Sequence, residues 1–102
     1  MIFLNHESEL TWNNQFQVLY FNSIWLPFKQ KLILMLDKIA QKYPAIALFV
    51  IDVDQFKPLC KRFSVETIPT VLIIENGKEV KRIDRVLPTR EFTAIFDDIC
   101  TI

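Results

Sequence analysis

The sequence predicts a small α/β sandwich, a mixed sheet of four to five strands with helices on both faces. Three observations carry that expectation. Strand-like apolar runs alternate with segments of helical period along most of the chain. The run from Ala45 to Asp52 is apolar without alternation, as expected of a strand buried on both faces. Asn76-Gly77, set between two β-prone runs, is the strongest short-range hairpin signal and adds antiparallel strands at one edge.

Each element has its own reason. Ile2-Phe3-Leu4 reads as a short strand. Glu7 to Asn14 is polar around Leu10 and Trp12, and suits a short helix or turn. Gln17 to Phe21 is β-branched and aromatic, of strand length. Pro27 opens a long helix, since a first-turn proline loses no needed hydrogen bond. In it Leu32, Leu36, Ile39 and Tyr43 recur at helical spacing, Ile33 and Ala40 widen the stripe, and Pro44 ends it. Asp54 is the expected N-cap of a following helix that carries Pro58, Leu59, Cys60 and Phe63. Thr70 to Ile74 is strongly β-prone, and Glu79 to Asp84 returns as its partner. Pro88 opens a last helix with Phe92, Ile95, Phe96 and Ile99 on one face.

Composition narrows the chemistry. The 102 residues are 51% apolar and 13% aromatic with zero formal net charge, which suits a single domain over 1–102 and excludes a disordered chain. One glycine excludes Gly-rich phosphate loops, so no nucleotide cofactor is expected. One histidine and two distant cysteines exclude the common zinc patterns and a Cys-x-x-Cys pair. Asp52 and Asp54 lack a third ligand nearby, and read as topological and capping residues rather than a metal site. His6 reads as a surface residue. Balanced charge argues against a nucleic-acid partner. The run Lys78, Lys81, Arg82 and Arg85, interleaved with Glu79 and Asp84, reads as a solvated hairpin edge. Met1 to Leu4 lacks the basic region of a secretory signal, and the run Ala45 to Ile51 is too short to cross a bilayer. The expectation is a soluble, cytoplasmic chain with no membrane partner and with reduced thiols.

Four features then carry a resemblance. A Trp ends the second strand in Phe21-Asn22-Ser23-Ile24-Trp25, with a long helix directly after it. Ile51-Asp52-Val53-Asp54 closes the third strand. Thr67-Ile68-Pro69-Thr70 places Pro69 fifteen residues beyond Asp54. The hairpin Glu75-Asn76-Gly77-Lys78 follows. Together, from about Val18 to Ile99, the chain resembles the thioredoxin family. The resemblance implies a three-layer α/β/α sandwich, a cis-proline at Pro69, and backbone pairing of an extended peptide just before that proline.

The departures bear on chemistry. The four positions after Trp25, which the family fills with Cys-Gly-Pro-Cys, are Leu26, Pro27, Phe28 and Lys29. Leu26 and Lys29 thus stand at the degenerate active-site positions. By the same resemblance, the buried acid of the second strand falls at Tyr20, its supporting lysine at Val50, and a late loop glycine at Arg85. Dithiol exchange needs an attacking thiolate and a resolving thiol, so the usual reaction has no reactants here and no enzyme of that kind is expected. The reading that results is a redox-inactive module. It binds a peptide or protein, or a second copy of itself, through a groove made by Trp25, Leu26, Pro27, Phe28, Thr67, Ile68 and Pro69. Leu26 and Phe28 alternatively fold inward and extend the core. Two other readings stay open: a single-thiol oxidoreductase using Cys60 or Cys100, and a structural subunit of a larger assembly. Cys60 reads otherwise as a small buried hydrophobe, and Cys100 as a semi-exposed, unused thiol near a fraying terminus. A Cys60–Cys100 disulfide is not expected, because the resemblance puts their helices on opposite faces of the sheet.

Overall fold

Strand β2, Phe16–Asn22, is buried at every residue, and the rest of the fold is arranged around it. The computed structural model describes residues 1–23, 25–26 and 29–100, with Lys29 in backbone only. Around β2 run β1 (Ile2–Phe3), β3 (Ile46–Asp52), β4 (Thr70–Glu75) and β5 (Lys78–Ile83), in the spatial order β1-β3-β2-β4-β5. β3 is parallel to both β1 and β2, whereas β4 is antiparallel to β2 and to β5. The helices are α1 (Lys29–Lys42), α2 (Lys57–Arg62) and α3 (Thr89–Cys100). Among the described residues, no helix is long and apolar enough to cross a membrane.

Side-chain alternation along the strands splits the core in two. On one face Val18, Tyr20, Leu48, Val50, Val71 and Ile73 pack under α1 and α3. On the other, Leu19, Phe21, Phe49, Ile51, Leu72 and Ile74 meet Phe56 and Leu59. The two cysteines fall on opposite sides of this division, Cys100 in the first cluster and Cys60 beside the second. Both thiols are free.

The hairpin signal has its expected cause. Asn76 and Gly77 take φ of 50° and 83°, the left-handed conformation that a two-residue turn needs at both positions. The polar segment after β1 forms only a short 3-10 turn, Glu7–Glu9. There the Glu9 carboxylate accepts the N–H groups of Asn5 and His6, at 2.6 and 2.7 Å, and these bonds hold it below the usual carboxylate range.

Three expectations need correction. Asp54 does not cap α2. The N-cap is Phe56, without a side-chain bond, because the Asp54 carboxylate accepts the Ser23 hydroxyl instead. Cys100 is buried at 4% exposure rather than semi-exposed, since with Phe92 and Phe96 it completes the inward stripe of α3 at every fourth residue. Arg82 is no solvated edge cation. Its guanidinium donates to the carbonyls of Phe63 and Ser64 at 2.6 and 3.1 Å, and pairs with Glu79 at 2.7 Å. It thereby covers the C-terminal carbonyl end of α2, where a cation suits the helix dipole.

Candidate functional site

β2 and β4 are neighbours with Phe21 opposite Thr70, so the segments beyond them leave the sheet at the same end. One carries Trp25 and Leu26; the other carries Thr67, Ile68 and Pro69. The polar connections holding each segment come from short side chains. Ser23 is buried, and its Oγ accepts the Trp25 N–H at 3.2 Å while donating to Asp54 Oδ2 at 3.3 Å. The Leu26 N–H donates to the Ser23 carbonyl at 3.0 Å. On the other segment, Thr70 Oγ1 donates to the Thr67 carbonyl at 2.6 Å, and the Ile68–Pro69 peptide bond is cis. The sequence reading singled out neither Ser23 nor its tie to Asp54. A serine just past the strand end, the position of a turn-forming hydroxyl, was the available signal.

The side chains divide sharply in exposure. Trp25 is 80% exposed and Ile68 is 38% exposed. Thr67 is exposed and Pro69 is buried. Leu26 is half-buried and packs on the α1–α3 face of the core, the inward alternative for that residue. Pro27 and Phe28, and the side chain of Lys29, lie outside the described residues.

The positions behind the loop are apolar. Tyr20 and Val50 are paired across the parallel β2–β3 ladder and both are buried. Burial pushes the Tyr20 phenol up to about 12, with the Asn22 side chain opposing the rise. Its Oη makes no hydrogen bond of ordinary geometry. Neither residue takes up or gives a proton near neutral pH. Both thiols are held above their ordinary range. Burial raises Cys60, reinforced by the charges of Asp52 and Asp54, and burial pushes Cys100 up to about 11. A thiol held above its ordinary pKa presents little thiolate. Among the described residues, no group of three His, Cys, Asp or Glu is placed to hold a metal ion.

These two buried groups have a consequence at high pH. Unfolded, Cys100 and Tyr20 ionise near 9.0 and 10.0; folded, they keep their protons to about 11 and about 12. The unfolded chain therefore sheds protons first, so this stability is complete below pH 9 and is lost as pH rises toward 12. The urea midpoint should fall steadily across that window. Tyr20→Phe should flatten the fall and raise the unfolding free energy at neutral pH by about 1 kcal/mol, because it removes a buried hydroxyl without a good partner. A midpoint that stays level through the window contradicts this account.

Comparison with known proteins agrees with the geometry. Residues 4–98 match the family model described as Thioredoxin. A thioredoxin H-type from Fagopyrum esculentum is 31% identical over 81 residues, covering 71% of this chain and 70% of that protein. Thioredoxin-2 from Saccharomyces cerevisiae is 26% identical over 94 residues, covering 92% and 90%. Among solved structures, a mutant thioredoxin from Halobacterium salinarum superposes with a TM-score of 0.86 at 17% identity, covering 99% of this chain and 91% of that one. Thioredoxin O2 from Arabidopsis thaliana in its oxidised state gives 0.86 at 16% identity, covering 98% and 94%.

Proposed function

The chain belongs to the thioredoxin family, and from that premise we propose that it is a redox-inactive member that binds an extended segment of a partner protein. The contact residues are Trp25, Leu26, Thr67, Ile68 and Pro69, together with Pro27 and Phe28, which lie outside the described residues. The observation that carries this reading is a Trp at 80% exposure beside a segment with Ile68 at 38%, where no thiol stands. Trp25 is more exposed than Trp12 or Phe3, and Trp is a frequent binding anchor. The backbone before Pro69 supplies hydrogen-bonding groups to an extended chain, as in strand addition.

Single-thiol exchange at Cys60 is the competing reading. Half-burial and a raised pKa weaken it, as does the position of Cys60 on α2, against the opposite half of the core from Leu26. A cytoplasmic setting, which keeps both thiols reduced, suits the binding role.

The test is a peptide display screen against the immobilised chain, followed by anisotropy titration of the peptides selected. Trp25→Ser combined with Ile68→Asp should cost roughly 2 kcal/mol or more, about thirtyfold in Kd, with an unchanged circular dichroism spectrum. Undiminished binding by that variant rejects the site, and catalytic insulin reduction by the natural chain rejects the redox-inactive assignment.

A further inference from the structure

Helices α1 and α3 are tied at their C-terminal ends, where Asp97 accepts from Lys42 Nζ at 2.9 Å and from the Tyr43 hydroxyl. Toward their N-terminal halves a groove opens between them. It consists of two adjoining cavities that share Lys31, Met35 and Thr89 in their walls. One follows α1 past Leu34 to Lys38, with Thr93 of α3 also in its wall. The other reaches Val86 and Leu87, in the loop that leads into α3. Neither lining contains an Asp or a Glu.

The apolar lining is open and the cations in it are unpaired. Leu34 is 56% exposed, Val86 is 49% exposed, and Met35 is half-buried. Lys31 and Lys38 are exposed, and among the described residues neither joins an ion pair. Arg90 is likewise exposed and outside any such pair. It stands three residues before Thr93, on the same side of α3, and so adds a third cation at that rim. Asp97, the carboxylate that joins the two helices, is already engaged by two donors at the closed end. Charge complementarity therefore selects an anionic occupant, and the open apolar residues select one with apolar side chains.

Backbone chemistry selects its shape. The groove walls are largely helical, with their backbone bonds already made, and present no strand edge. An occupant must satisfy its own backbone internally, which favours a helix over an extended chain. The spacing on α1 suits a helix as well. Lys31, Leu34, Met35 and Lys38 fall at i, i+3, i+4 and i+7. They share one side of the helix and span about 10 Å along its axis.

We infer that this groove docks an acidic amphipathic helix of a partner protein. The matching helix carries an acid, two apolar residues and a second acid at the same spacing. Its carboxylates meet Lys31 and Lys38, and its apolar pair rests on Leu34 and Met35. The charge pattern reads the same in both directions, so it fixes the face of the partner helix and not its polarity. This surface shares no residue with the Trp25 to Pro69 site and does not depend on the reading given to that site. The contact is short and partly electrostatic, so binding is weak and is loosened by salt.

The test is a titration of the isotope-labelled full chain, followed by nuclear magnetic resonance. The probe is a synthetic stapled helix with two glutamates seven residues apart and a pair of leucines between them. Amide shifts should move at Leu34, Lys38, Thr89 and Thr93, and stay fixed at Trp25 and Ile68. K31E/K38E should weaken binding at least tenfold, and a probe with lysines in place of its glutamates should recover that loss. That recovery also shows that the variant is folded. K57E/K61E carries the same net charge on exposed positions of α2 and should bind the first probe as the natural chain does. Leu34→Asp should abolish binding, whereas Trp25→Ser should leave it unchanged. A natural chain that ignores the probe at millimolar concentration overturns the inference. So does equal binding by K31E/K38E and K57E/K61E, or a lysine probe that recovers nothing. Phosphatidylglycerol vesicles that displace the probe and bind more tightly would make the occupant a membrane, which overturns it too.

Discussion

A chain carrying Leu26→Cys and Lys29→Cys is expected to catalyse insulin reduction by dithiothreitol, while the natural chain adds nothing to the rate of the reductant alone. The reaction needs one thiolate to attack and a second thiol to resolve the mixed disulfide. The natural chain presents neither at this loop. Its remaining thiols are a half-buried Cys60 and a buried Cys100, both with raised pKa. Position 29 is the first residue of α1, and position 26 stands three residues before it in the sequence. A thiol at a helix N-terminus has its pKa lowered by the aligned peptide dipoles. Removing Lys29 also removes a cation from the end of the helix that disfavours one. The restored activity should be slow and should climb with pH, because Tyr20 and Val50 leave no titrating group beneath the pair. Tyr20→Asp on that background should raise the rate at neutral pH and lower stability, since it buries a carboxyl in an apolar cluster. Turnover by the natural chain would refute the premise. An inactive double variant that folds and forms the new disulfide would show that proton handling, rather than the thiols, is the missing part.

What the sequence discloses follows from where a periodic signal exists. β3 shows itself as an unbroken apolar run, and the structure covers it on both faces. The Asn76-Gly77 turn is legible because positive φ at two adjacent positions tolerates few residue types. The burial of Cys100 was legible too, as the third member of the Phe92, Phe96, Cys100 series; nearness to the chain end is weaker guidance than the helical period. The polar ties were not. Asp54 serves Ser23 rather than α2, and Arg82 reaches two carbonyls that lie eighteen and nineteen residues away. Such bonds depend on which loops the fold brings together, and spacing along the chain does not encode that. At the site, the loss of thiols was plain from Leu26 and Lys29. The outward turn of Trp25 and inward turn of Leu26 were not, because both are large and apolar and adjacent residues of a turn point different ways.

Phe21→Ala should be among the most damaging single substitutions, costing roughly 3–5 kcal/mol. Phe21 is completely buried in the central strand, flanked by β3 and β4, and its ring meets that of Phe63 at 6.2 Å between centroids. Truncation leaves a cavity between sheet and α2, and the strand cannot move to fill it because it is paired on both sides. Against a total of about 5–15 kcal/mol for a typical domain, that loss leaves a marginal fold. The melting temperature should drop by roughly 15–30 °C for a chain of this size. Phe21→Leu keeps most of the volume and should cost about 1.5 kcal/mol or less. Phe3→Ala removes the same ring from the edge strand β1, where it is 54% exposed, and should change stability by only about 0.5 kcal/mol. Calorimetry on the three variants separates burial from residue type. Equal losses for Phe21→Ala and Phe3→Ala would contradict the two-sided core. Phe21 is also opposite Thr70 and two residues before Ser23. Its truncation at a temperature where the fold survives should therefore loosen both segments of the binding surface, and peptide affinity should fall with stability.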